Sequence, residues 1–207
     1  MADSSISITQ GSGTSIDTRT ESTNSEHRQV IVIGDPSNND GVAAVDADSG
    51  LRVDGGQAYI LRVTPTITVP GTAYTANDCF GGEMTITSAA RTSGGGGVLT
   101  GITMSFEDDI LASTIEVLIF DSNPGGTYTD NTALAVTDAD TYLLLGSVIL
   151  DVRTDLGAGA LLKATNVNIP YLCSGSANLY AVAVIRSSVP TPTATDAAQF
   201  TFHMIRD

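Results

Sequence analysis

From Tyr59 to the C-terminus, apolar residues recur at every second position in short runs. Each run is closed by glycine, proline, asparagine or aspartate. In Val98–Glu107 the residues Ile102, Met104 and Phe106 fall on one face, and Thr103, Ser105 and Glu107 on the other. In Gln199–Arg206 the alternation puts Phe200, Phe202 and Met204 on one face and Thr201, His203 and Ile205 on the other. Period two is the signature of half-buried strands, so the chain is constrained to sheets.

Further runs predict strands at Ile60–Val69, Met84–Ala90, Ser147–Arg153, Ala160–Ile169 and Asn178–Arg186. Thr114–Phe120 is nearly continuously apolar and predicts a central strand buried on both faces. Pro65 removes a ladder donor from its run, which places that strand at an edge or breaks it. The SGGGG stretch at Ser93–Gly97 and DSNPGG at Asp121–Gly126 read as turns. TDADTYLLLG holds the one plausible helix, of one or two turns, capped by Thr137 or Asp138 and ended by Gly146. The predicted fold is all-β: an antiparallel β-sandwich of the jelly-roll kind, with an extended N-terminal arm and at most one short helix.

The organisation reads as an arm and linker over residues 1–56 and a sandwich domain over 57–207. The first residues are Ser, Thr, Gly, Asn and acidic, with isolated Ile6, Ile8 and Ile16. They carry too little apolar surface to fold alone. Arg28 opens a compact strand signal, RQVIVIGDP. MADSSISITQGSGTS shows neither the basic nor the apolar region of a targeting segment.

Charge narrows the partners. The net charge is −14, with 9 Lys and Arg against 23 Asp and Glu. Nine dispersed cations suit neither a phosphate backbone nor an anionic bilayer, so nucleic acid and membrane are not expected partners. Hydrophobic residues make up 42%, and no apolar run has the length of a membrane-spanning helix. Cys79 and Cys173 are read as buried free thiols.

No constellation points to catalysis. His27 and His203 are the only histidines, and no GxSxG elbow occurs. Glu107, Asp108 and Asp109 read as a solvated strand tip, and tryptophan is absent. VDADSG at Val45–Gly50 begins like a calcium loop. It then departs from the pattern, with glycine at the fifth loop position and Gln57 at the twelfth. Gly94–Gly97 lacks the following helix and the lysine of a phosphate cradle. The chain is therefore expected to be non-enzymatic, with no cofactor and no catalytic or metal residues.

Two stretches carry a resemblance. EHRQVIVIGDPSNNDGVAAVDADSGLRVD, Glu26–Asp54, resembles a segment at the start of many virion proteins of tailed bacteriophages. The stretch from TVPGTAYTANDCFGGEM to DADTYLLLGSVIL resembles the β domain that accompanies it. Within that class it is most similar to head decoration, or cement, proteins. The resemblance implies a homotrimer on the outer surface of the capsid, assembled in the host cytoplasm. Its partners would be the major capsid protein and neighbouring copies. The contact residues it implies are those of the arm: Glu26, His27, Arg28, Gln29, Val30, Ile31, Val32 and Ile33. The alternative is a tail or baseplate adhesin for a host surface glycan. That role needs a groove with exposed aromatics and paired carboxylates, for which Tyr74, Tyr128, Glu107 and Asp109 are the candidates.

Overall fold

The computed structural model describes residues 18–20, 27–29, 45–46, 50–51, 57–65, 73–108, 113–164, 166–187, 191–193 and 196–206. The chain divides into two compact units, Met1–Val53 and Asp54–Asp207. In the first, β1 (Thr18–Thr20) pairs antiparallel with β2 (His27–Gln29), Arg19 opposite Arg28. Strands β3 (Val45–Asp46) and β4 (Gly50–Leu51) form a second small ladder.

The second unit is a sandwich. Its strands are β5 (Gln57–Val63), β6 (Cys79–Ile86), β7 (Gly96–Phe106), β8 (Thr114–Phe120), β9 (Leu144–Ile149), β10 (Val152–Asp155), β11 (Ala160–Ala164), β12 (Ile169–Leu172), β13 (Leu179–Ser187) and β14 (Ala198–Arg206). One helical turn, α1 (Asp138–Thr141), interrupts them. The large sheet runs β10-β11-β7-β14-β5, with β12 also on β7, and the small sheet runs β6-β13-β8-β9. Every neighbouring pair is antiparallel. Consecutive strands β5, β6, β7 and β8 fall alternately in the two sheets, and the last two strands, β13 and β14, insert between the earlier ones. That connectivity is a jelly roll.

The alternation read from the sequence sets the faces. Ile102, Met104, Phe106, Phe200, Phe202 and Met204 point into the core between the sheets. There they meet Phe80, Met84, Ile115, Val117 and Ile119 from the small sheet. Strand β8 is central, flanked by β13 and β9. Its other face carries Leu118 and Phe120 into a second cluster with Cys79, Tyr128, Val182 and Val184. Leu134, Val136 and Leu143 of the excursion over residues 121–143 pack on that cluster. The small sheet is thus covered on both sides, which explains why β8 reads as a continuous apolar run.

Several boundaries differ from the sequence expectation. Strand β5 lies at the edge, as Pro65 requires, and stops at Val63. The run Ser147–Arg153 is two strands in different sheets, because the chain crosses between them at Leu150 and Asp151. The run Ala160–Ile169 is also split. Strands β11 and β12 both lie on β7, separated around Asn166 at φ +59°. Gly146 does not end α1. It sits within β9 opposite Ile119, and Tyr142 closes the helix.

The glycine run is corrected too. Gly94 turns at φ +76°, but Gly96 and Gly97 begin β7, both opposite β12 and Gly97 also opposite β14. A Cβ on Gly97 would collide with the Ile205 carbonyl and the Tyr171 ring. Tyr171 crosses here and donates from its hydroxyl to the Ala89 carbonyl at 2.6 Å. These two glycines are required by close packing and not by turn geometry.

Candidate functional site

The predicted arm contacts fall largely outside the described residues: Glu26, Val30, Ile31, Val32 and Ile33 lie there. His27, Arg28 and Gln29 form β2 and pair with Thr20, Arg19 and Thr18 of the same chain. The acid-rich VDADSG stretch contributes β3 and β4, and Ala47–Ser49 lie outside the described residues.

Among the described residues, the adhesin candidates Tyr74, Tyr128 and Glu107 form no groove with exposed aromatics. Tyr74 is fully buried and Tyr128 is nearly so, leaving neither ring surface for a sugar. Glu107 accepts the Ala197 amide at 3.0 Å, and Asp109 lies outside the described residues. Among the described residues the exposed aromatic is Tyr142, at the end of α1.

The carboxylates instead hold the loops. Asp140, 2% exposed, accepts the amides of Gly125 at 2.7 Å and Gly126 at 3.0 Å and the Tyr128 hydroxyl at 2.9 Å. Thr137 caps α1 by accepting the Asp140 amide at 3.1 Å. Thr137 caps the helix as its sequence predicts. What the sequence does not show is the span of Asp140, which ties the helix to the DSNPGG turn and so closes the excursion over the second cluster. Burial pushes the Asp140 carboxyl up. The Gly125, Thr137, Tyr128 and Gly126 hydrogen bonds outweigh it and hold the group below its ordinary value. The same hydrogen bond, after burial, pushes the Tyr128 phenol well above its ordinary range.

A second pair repeats the pattern. Asp130 accepts from the Tyr74 hydroxyl and the Gly81 amide, each at 2.8 Å. Asp78 accepts the Thr75 amide at 2.6 Å and the Thr75 hydroxyl at 2.8 Å. Burial and Asp130 push the Tyr74 phenol far up, and burial with Asp78 pushes the Cys79 thiol to about 11. Glu116 takes the Arg186 guanidinium at 2.6 Å, and Arg186 also donates to Asn77 at 2.7 Å. Burial raises Glu116, while hydrogen bonds from Ser147 and Arg186 and the guanidinium charge bring it below its usual value.

Among the described residues no group of three His, Cys, Asp or Glu is placed to hold a metal ion. Cys79 and Cys173 are buried thiols that form no disulfide. The concavities are shallow and lined by mixed residues. One of about 450 Å³ is bordered by Asp121, Leu145, Pro170, Tyr171, Leu172 and Ser174. Among the described residues, this one brings no nucleophile to a base.

No protein-family model matches the sequence, and no curated protein matches it. Among solved structures the chain is similar to one from a marine algae virus of the order Picornavirales. The identity is 10%, over 100% of this chain and 90% of that one, with a TM-score of 0.29. A likeness at that TM-score carries no argument about fold or function.

Proposed function

We propose that the chain is a non-enzymatic structural protein of a tailed-bacteriophage virion. In this proposal it is a decoration protein that binds the outer surface of the assembled head and stabilises it through its arm and through contacts between copies. The observation that carries this reading is where the polar chemistry goes. Asp78, Asp130, Asp140, Glu107 and Glu116 are each engaged by the sandwich's own backbone, phenols or guanidinium. With these five engaged, the proposal assigns contact with a partner to surface and valency. The resemblance of Glu26–Asp54 to phage virion segments supports the class, and a charge of −14 suits the outside of a shell better than contact with packaged DNA.

A protein that binds only the assembled shell stabilises it by mass action. An oligomer adds avidity without strong single contacts. In this proposal residues 1–56 are the arm and residues Glu26–Ile33 pair with shell strands or a neighbouring copy. The test mixes expanded empty heads with the whole chain and with a chain lacking residues 1–33, and measures what sediments with the heads. The whole chain is expected to co-sediment and the shortened chain to stay in solution with its sandwich folded. Equal binding of both would remove the arm from the account.

A further inference from the structure

The two sheets differ in what covers their outer faces. The small sheet carries the second hydrophobic cluster under the 121–143 excursion. On the large sheet, the outward positions follow from the register. Arg62, Thr201, Thr103, Lys163 and Val152 form one row across all five strands. Gln199, Ser105, Leu161 and Thr154 form the next. On the other side lie Ile60, His203 and Gly101, then Ile205, Val98 and Pro170.

Not one of these outward positions is Asp or Glu, in a chain with 23 of them. Glu107 is exposed, accepts the Ala197 amide, and borders this face beside Thr64, Ser105 and Gln199. Ile60 is 62% exposed and Ile205 44%, and both project from this face. The single lysine of the chain, Lys163, is exposed on it as well.

We propose that copies of this chain meet through this face. Two molecules at −14 each repel, and pressing carboxylates together adds desolvation to that repulsion. The face has Glu107 only at its rim, so most of that carboxylate cost is spared, and it offers Ile60, Val98 and Ile205 for burial. Its size is sufficient. Five strands about 4.8 Å apart, with residues rising about 3.4 Å each along β14, give roughly 700 Å² per copy, so about 1,400 Å² in all, the size of a stable interface. A second copy is the occupant favoured over a nucleic acid, because Arg62 and Lys163 are too few cations to neutralise a phosphate run. The inference stands on the charge map and not on the virion reading.

The test uses the whole chain at increasing concentration, with mass read by sedimentation velocity. The double variant Arg62→Glu/Lys163→Glu reverses the face. Arg91→Glu/Arg153→Glu makes the same change in net charge away from it. Self-association is expected in the parent and in the Arg91/Arg153 variant, and at least tenfold weaker in the Arg62/Lys163 variant. Acetylation of Lys163, the only side-chain amine, is expected to slow at least fivefold in the assembled fraction. A parent that stays monomeric overturns the inference, as does an oligomer indifferent to the Arg62/Lys163 reversal with Lys163 still fully reactive. Either result leaves the head-binding test above to be decided on its own.

Discussion

Asp140 shows how much one buried carboxylate does here. It closes three donors from a turn more than ten residues away, and its charge is stabilised by them. Asp140→Asn removes the charge and presents an N–H₂ where acceptors are needed, so it is expected to cost about 2–3 kcal/mol. Tyr128→Phe removes one donor and is expected to cost about 1 kcal/mol. Urea unfolding of the two variants checks both, and equal costs would contradict the account.

The pH dependence follows in sign. Asp140 and Glu116 titrate below their unfolded values. Their contribution is full above about pH 5 and is lost as pH falls through the folded values. Glu83 works in the opposite direction, since burial and the Asp140 charge raise it, but it is the smaller set. Tyr74 and Tyr128 titrate above their unfolded value, so their contribution is full below about pH 10 and is lost as pH rises beyond it. Unfolding measured from pH 3 to 11 is expected to show a plateau that falls at both ends. At pH 8 a thiol reagent is expected to find no reactive cysteine in the native chain and two after unfolding, because Cys79 and Cys173 are buried. The two buried thiols were legible in the sequence, but the roles of Asp140, Glu116, Tyr74 and Tyr128 were not. Asp140 looks like any acid in a capped turn until the fold brings Gly125 and Tyr128 to it.

At the scale of elements, the sequence was most informative where period and burial agree. The faces of β7 and β14 follow from alternation, and the central place of β8 follows from its unbroken apolar run. Pro65 located an edge. Pairing was not legible, because each long ladder joins residues distant in sequence: β5 meets β14, and β6 meets β13. Period two gives a face but no partner. The same limit misread the glycine run, since only the arrival of Tyr171 and Ile205 shows why Gly97 has no side chain. Gly97→Ala is therefore expected to cost about 3 kcal/mol through overpacking against backbone. Gly94→Ala meets open space and is expected to cost about 1 kcal/mol for its left-handed backbone. Thermal melts of the pair separate the two causes, and a Gly94 variant worse than the Gly97 variant would contradict this assignment.

At the scale of the whole molecule, charge and topology act together. The jelly roll buries one core between its sheets and a second beneath the 121–143 excursion. Among the described residues it leaves the large sheet's outer rows without a carboxylate, Glu107 standing at their rim, and exposed at Ile60 and Ile205. Composition predicted the acidity but not its uneven placement, which depends on which strand positions face outward. An acidic sandwich with one neutral-to-basic face is suited to assembly, and in the function proposed above that assembly takes place on a phage head. The most direct measurement is mass photometry of the whole chain alone and then with expanded empty heads. The account predicts an oligomer that adds to heads until a fixed copy number is reached. Heads whose mass stays unchanged at every protein concentration would contradict it.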